Sequence, residues 1–251
     1  MTWSRRSFVK HAASCAAHLG LMAAASPWLT RALWAAQERF PVVAREAWGR
    51  LERVAEGVWA LVSTPLDGDR TTLCNGGIVA GRTGVLVVEA FGSDAGARWM
   101  AEQARALTGR TATHVVLTHY HADHTPSDVS LELADPSVVF CGDLVWNGMF
   151  PNYVDAIPSR LSRDVRLLRS VEATTYVPGH GPLAAAADLD RYVSLLDDVE
   201  AAARRAMERG LTAEAAGAAY RIPADLGEWT LFNPRYFERA IGAWMKELGP
   251  V

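Results

Sequence analysis

The sequence predicts an α/β domain built on a mixed sheet, and three observations predict it. Short runs of β-branched and apolar residues recur at Val58–Ser63, Gly77–Gly81, Gly84–Glu89 and Ala112–Leu117, the pattern of buried strands. Between the last two runs lies a segment with apolar residues at helical spacing, which makes a βαβ unit. Half of the 251 residues are apolar, ample for a sizeable core.

The first 36 residues are different in kind. Ser4-Arg5-Arg6-Ser7-Phe8-Val9-Lys10 precedes an Ala-rich, acid-free run through Ala36, which resembles a twin-arginine export signal and its apolar region. Ala25 and Ala36 are both candidate cleavage ends. The signal implies passage through the twin-arginine export machinery into the periplasm, so residues 1–36 are set apart from the fold. No segment reads as a membrane span of the mature chain. The whole chain carries a formal charge of −3, and the leader holds Arg5, Arg6, Lys10 and Arg31 without an acid. The remainder is therefore more acidic than the whole, which argues against nucleic acid as a partner. Cys15 lies in the leader. Cys74 and Cys141 remain, read as buried thiols sooner than as a disulfide, and neither has a Cys-x-x-Cys partner for a zinc knuckle.

In the mature chain a polar entry segment, Gln37 to Glu56, leads into the strand Val58–Ser63, and Pro65-Leu66-Asp67-Gly68-Asp69 turns. The next two strands are joined tightly at Arg82-Thr83. Ser93 is placed to cap a helix running to about Leu107, with Ala97, Met100, Ala101, Ala104 and Leu107 on one face and Gly109 just past its end. Ala112–Leu117 reads as a buried strand, with His114 a core or sheet-edge histidine. Val129–Leu133 and Ser137–Cys141 form a hairpin turned at Ala134-Asp135-Pro136. A helix over Pro158–Leu168, a short strand over Thr174–Val177 and a sharp loop at Pro178–Pro182 follow. Helices close the chain at Asp188 to about Arg209 and Glu238 to Leu248. This divides the mature chain into a domain at 45–186 and a helical segment at 187–251 packed on it.

The chemistry gathers at three strand ends. His119-Tyr120-His121-Ala122-Asp123-His124 sets three imidazoles and a carboxylate in six positions directly after an apolar strand. Imidazole and carboxylate suit zinc and its neighbours, and catalytic zinc keeps a position open to water. Gly142-Asp143 and Pro178-Gly179-His180-Gly181 each follow a strand as well.

Together these motifs resemble the metallo-β-lactamase superfamily from roughly Glu56 to Leu183. The resemblance implies an αββα sandwich of mixed sheets with one or two metal ions at one edge, zinc first and iron or manganese as alternatives. The Gly-Asp and Pro-Gly-His-Gly forms look more like glyoxalase-II-type hydrolases than like lactamases that use a cysteine ligand. Carried across, His119 and His121 resemble ligands of a first metal, Asp123 and His180 of a second, and Asp143 the carboxylate bridging both. Asp123 is also implied as the catalytic residue that takes a proton from the attacking water. The substrate implied is a small molecule with an ester, thioester, lactam or similar bond. Trp146, Phe150 and Tyr153 offer either aromatic walls for an apolar part of it or core packing.

The pattern also breaks. The family has a further Gly-His-Thr-Pro-Gly-like motif well downstream of the first cluster, and His124-Thr125-Pro126 itself looks like that later motif. The sandwich is thus read as truncated in the middle, with His124 asked to serve as ligand in both places. Glu89 stands where relatives commonly carry aspartate behind the metal loop. The truncation predicts unpaired strand edges or exposed apolar surface. It also motivates an alternative to the hydrolase: a remnant that binds a metal or ligand without turnover. A di-iron redox reading is disfavoured because no flavin-binding module follows.

Overall fold

The computed structural model of the protein describes residues 38–63, 71–72, 74–89, 93–118, 129–154 and 156–249. The export signal at 1–36, the turn at Pro65–Asp69 and the positions His119, His121, Asp123 and His124 lie outside the described residues. Arg39–Val251 form one compact unit.

Six strands make the first sheet, in the order β1 (Val42–Glu46), β2 (Gly49–Ala55), β3 (Val58–Ser63), β4 (Gly76–Ala80), β5 (Val85–Val88), β6 (His114–Val116). All neighbours are antiparallel except β5 and β6. The parallel pair is the βαβ unit, with α1 (Asp94–Thr108) as its crossover. Ser93 caps α1 by accepting from the Gly96 amide, and Gly109 ends it in the left-handed region at φ 69°. Met100 and Ala104 of α1 pack on Leu51, Leu61, Ile78 and Val87 of the sheet.

The second sheet is β7 (Leu131–Leu133), β8 (Val138–Trp146) and β9 (Thr175–His180). β7 and β8 form the expected antiparallel hairpin, whose turn holds a cis Asp135–Pro136 bond, and β8 and β9 run parallel. Around it lie α2 (Pro158–Ser170), α3 (Ala186–Glu208), α4 (Ala213–Ala219) and α5 (Tyr236–Leu248). The buried residues of α3, among them Leu189, Tyr192, Leu195, Leu196 and Val199, repeat at three and four positions, the inward stripe of an amphipathic helix. The sheets meet face to face: a Cβ on Gly77 of β4 would stand 2.3 Å from the Phe140 ring of β8. Two mixed sheets between helical layers give the αββα sandwich.

Several expectations are corrected. The polar entry segment contains β1 and β2. Arg45, Glu46, Arg50, Glu52 and Arg53 conceal them, because strands are usually sought in apolar runs. Arg50 and Glu52 are nonetheless buried, paired at 2.6 Å, and Glu52 also accepts from the Phe40 amide at 3.2 Å. Among the described strands, the one before the histidine cluster lies at the edge of its sheet and is not buried. Val115 and Leu117 are each 57% exposed, and His114 opens it, exposed, with its Nδ1 2.9 Å from the Thr113 hydroxyl. Pro178, Gly179 and His180 are the last residues of β9 and not a loop; the turn comes at Gly181-Pro182. Pro178 is tolerated there because the β8 to β9 register shifts beside it, between Phe140 and Gly142. The Ala-rich α4 has no apolar stripe to announce it.

Candidate metal centre

Of the six candidate ligands the structure describes Asp143 and His180, and it brings them together. Asp143 lies within β8 and His180 ends the parallel β9. His180 Nε2 stands 3.3 Å from Asp143 Oδ1, with both side chains buried. The approach lacks the geometry of a hydrogen bond, and neither ring nitrogen of His180 makes one among the described residues. A buried imidazole with two idle nitrogens costs free energy unless something else satisfies it. Imidazole beside carboxylate is a donor set for zinc, so the described residues fit a cation, although among them no group of three or more His, Cys, Asp or Glu gathers.

Glycines make the closeness possible. A Cβ on Gly179 would meet Asp143 Oδ1 at 2.1 Å, and one on Gly181, at φ 95°, would meet the Asn147 carbonyl oxygen at 1.9 Å. The Pro-Gly-His-Gly signal is thus a packing requirement around His180 as much as a turn. The Trp146 indole lies against the His180 ring with centroids 4.0 Å apart. Tyr236 of α5 meets Trp146 edge to face at 6.2 Å. Burial raises the Tyr236 pKa; the Arg239 guanidinium opposes that shift and the Asp143 carboxylate adds to it. Phe150 and Tyr153, the other candidate aromatic walls, are core residues. Phe150 packs on Phe237 at 4.8 Å, and Tyr153 is fully inside.

The end of β6 is tied down from β5. Glu89, at φ 73°, accepts from the Thr118 amide at 3.0 Å and from the Thr118 hydroxyl. Thr118 is the last described residue before His119, so Glu89 holds the point from which the cluster departs. Cys74 lies within electrostatic reach of the site: burial raises its pKa well above the ordinary thiol value, and the Glu89 and Asp143 charges add to that. Cys141 is raised by burial alone, and the two thiols are unpaired with each other.

Asn75 escaped the sequence reading. It sits between a cysteine and two glycines, without a motif to mark it. Its amide oxygen accepts from the Ser63 amide at 2.8 Å, its amide nitrogen donates to the Gly181 carbonyl at 2.7 Å, and its backbone N–H donates to the Gly179 carbonyl at 2.7 Å.

A family model described as the metallo-beta-lactamase superfamily matches residues 69–125, a stretch containing His119, His121, Asp123 and His124. A search of curated proteins finds no match. Among solved structures, the chain is similar to a metallo-beta-lactamase from Erythrobacter litoralis, with TM-score 0.55 and 16% identity over 65% of this chain and 99% of that one. It is similar to VMB-1, with TM-score 0.53 and 16% identity over 61% and 99%. It also resembles an NDM_FIM-1 like metallo-beta-lactamase from Erythrobacter litoralis in a mono-zinc form, with TM-score 0.50 and 17% identity over 62% and 100%. At such identities the likeness speaks for architecture, and together with the two facing mixed sheets it shows that the chain has the metallo-β-lactamase fold.

Proposed function

We propose that the chain is a periplasmic metal-dependent hydrolase acting on an ester, thioester, lactam or similar bond of a small molecule. The observation that carries this reading is the buried pairing of His180 with Asp143, whose imidazole nitrogens have no hydrogen-bond partner among the described residues. His119 and His121 would serve one ion position and Asp123 and His180 another, with the Asp143 carboxylate available to either, a set of the glyoxalase-II type in which the shared His124 leaves only one position tightly held. When bound, zinc polarises a carbonyl or phosphoryl oxygen and brings the pKa of water to roughly 7. Asp123 takes the proton of the attacking water and passes it to the leaving group, work typically contributing about 10²- to 10⁴-fold. Trp146 fixes the face of the His180 ring and excludes water from one side of it. The twin-arginine motif at Ser4–Lys10 supports export to the periplasm, and no described helix is long and apolar enough to cross a membrane.

A second reading is a remnant that binds a metal or ligand without turnover. The double demand on His124 favours it, and so do the exposed Val115 of β6 and Leu117 just past it, where an internal truncation would leave apolar side chains uncovered. Metal stoichiometry in the wild type and in His124→Ala tests the site. At most one tightly held ion is expected in the wild type, as in the mono-zinc form of the similar structure, with weaker retention in the variant. Two ions held tightly by both proteins would refute the shared histidine. A metal-loaded protein inert toward a broad panel of esters, thioesters, lactams and phosphodiesters would favour the remnant.

A further inference from the structure

We propose that Asn75 is a positioning residue for His180, setting the aim of that ligand from the opposite sheet; this rests on the reading of His180 as a metal ligand. His180 is flanked by Gly179 and Gly181, and Asn75 donates a hydrogen bond to the carbonyl of each, from its backbone N–H to Gly179 and from its side-chain amide to Gly181, both 2.7 Å. Two fixed carbonyls bracketing one residue leave its Cα–Cβ vector little freedom. Glycine neighbours could not supply that restraint, since Gly181 sits at φ 95° in a region open to several conformations. Asn75 is itself held, because its amide oxygen accepts from the Ser63 N–H at the end of β3. All three bonds are buried, where leaving a polar group unpaired costs most. The opposite side of His180 is fixed from its own sheet: the Asn147 N–H donates to the His180 carbonyl at 2.9 Å, and the Trp146 indole covers the ring. The imidazole is thus aimed by groups that touch its backbone and its face and leave its ring nitrogens unengaged, so that one of them is available to a cation. Ligand geometry has to be held to within roughly 0.5 Å and about 10–20° to be productive.

The test compares full-length wild type with Asn75→Leu, which keeps bulk and removes both side-chain bonds, and with Thr113→Val. Thr113→Val removes a partly buried hydroxyl that bonds Val85 at the start of β5, the opposite end of the β4–β5 pair from Asn75. Zinc affinity is measured by chelator competition, the cobalt-substituted visible spectrum reports ligand geometry, and melting of the metal-free proteins reports stability. Asn75→Leu is expected to bind zinc about 10- to 100-fold more weakly and to alter the cobalt spectrum. Thr113→Val should lower the melting temperature and leave both metal readouts unchanged. Wild-type zinc affinity and cobalt spectrum in a folded Asn75→Leu would overturn the role of Asn75 and leave the metal site standing. Absence of zinc binding by the wild type itself would overturn the ligand assignment first and this inference with it. Should Asn75→Leu not fold, Asn75→Ser takes its place, and unchanged affinity there overturns the proposal equally.

Discussion

Gly179 and Asp143 are in such close apposition that a single methyl group on the first would sit 2.1 Å from a carboxylate oxygen of the second. Gly179→Ala therefore forces the Asp143 side chain or the β9 backbone aside. Overpacking of this kind costs typically about 1–3 kcal/mol. The expected result is a lower melting temperature and a loss of bound metal larger than that stability change alone produces. Thermal melts paired with elemental analysis check it, and a Gly179→Ala protein with wild-type metal content would refute the tight fit.

Glu89 satisfies two donors of Thr118 at the threshold of the histidine cluster. Removing the acceptor in Glu89→Ala leaves a buried amide and hydroxyl without it, a penalty of about 1–3 kcal/mol. Loosening the segment that leads into His119 should also weaken metal retention by about 10- to 100-fold. Glu89→Gln keeps one acceptor oxygen and should fall between. Chelator competition orders the three proteins, and an alanine variant as retentive as wild type would rule out this role.

Arg50 and Glu52 form an ion pair inside the first sheet, with neither side chain meaningfully exposed. Replacing one partner, as in Arg50→Met, strands a buried carboxylate and is expected to cost about 3–5 kcal/mol. Denaturant unfolding reads this directly. The double variant Arg50→Met/Glu52→Leu, which removes both charges, should recover much of the loss.

Burial and the neighbouring Glu89 and Asp143 charges keep the Cys74 thiol protonated, and burial does the same for Cys141. Both should resist alkylation in the native protein at pH 8 and react on unfolding, which mass mapping of labelled peptides checks. The native pKa values are raised above the unfolded value of about 8.5. Below that pH both states hold the proton, and the stabilising difference is fully present. As pH climbs past it the unfolded state releases protons that the native state keeps, so stability falls. Melting temperature should decline more steeply above about pH 8.5 in wild type than in a Cys74→Ala/Cys141→Ala variant.

Much of this fold was legible because local chemistry and tertiary placement agree. Ser93 and Gly109 bracket α1 as capping rules require, and the turn at Arg82-Thr83 joins two antiparallel strands. β1 and β2 were hidden by charges that the fold buries as a pair or turns to solvent, a choice made by partners distant in sequence. The exposure of β6 was hidden for a related reason: Val115 and Leu117 have the composition of an interior strand, and only sheet order makes β6 an edge. At the site, Gly142-Asp143 and Gly179-His180 stood out as motifs, and their meeting follows from the parallel pairing of β8 and β9. Asn75 was invisible because its importance resides in what lies across the sandwich, 106 positions away in the chain.

Trp146 touches both His180 and Tyr236, so α5 and β9 lean on the same indole. A chain shortened ahead of Tyr236 would bare that ring to water and remove its brace. Whatever chemistry the imidazole supports is thereby tied to the formation of α5, and a nascent or clipped form lacking that helix would leave the His180 ring without its brace.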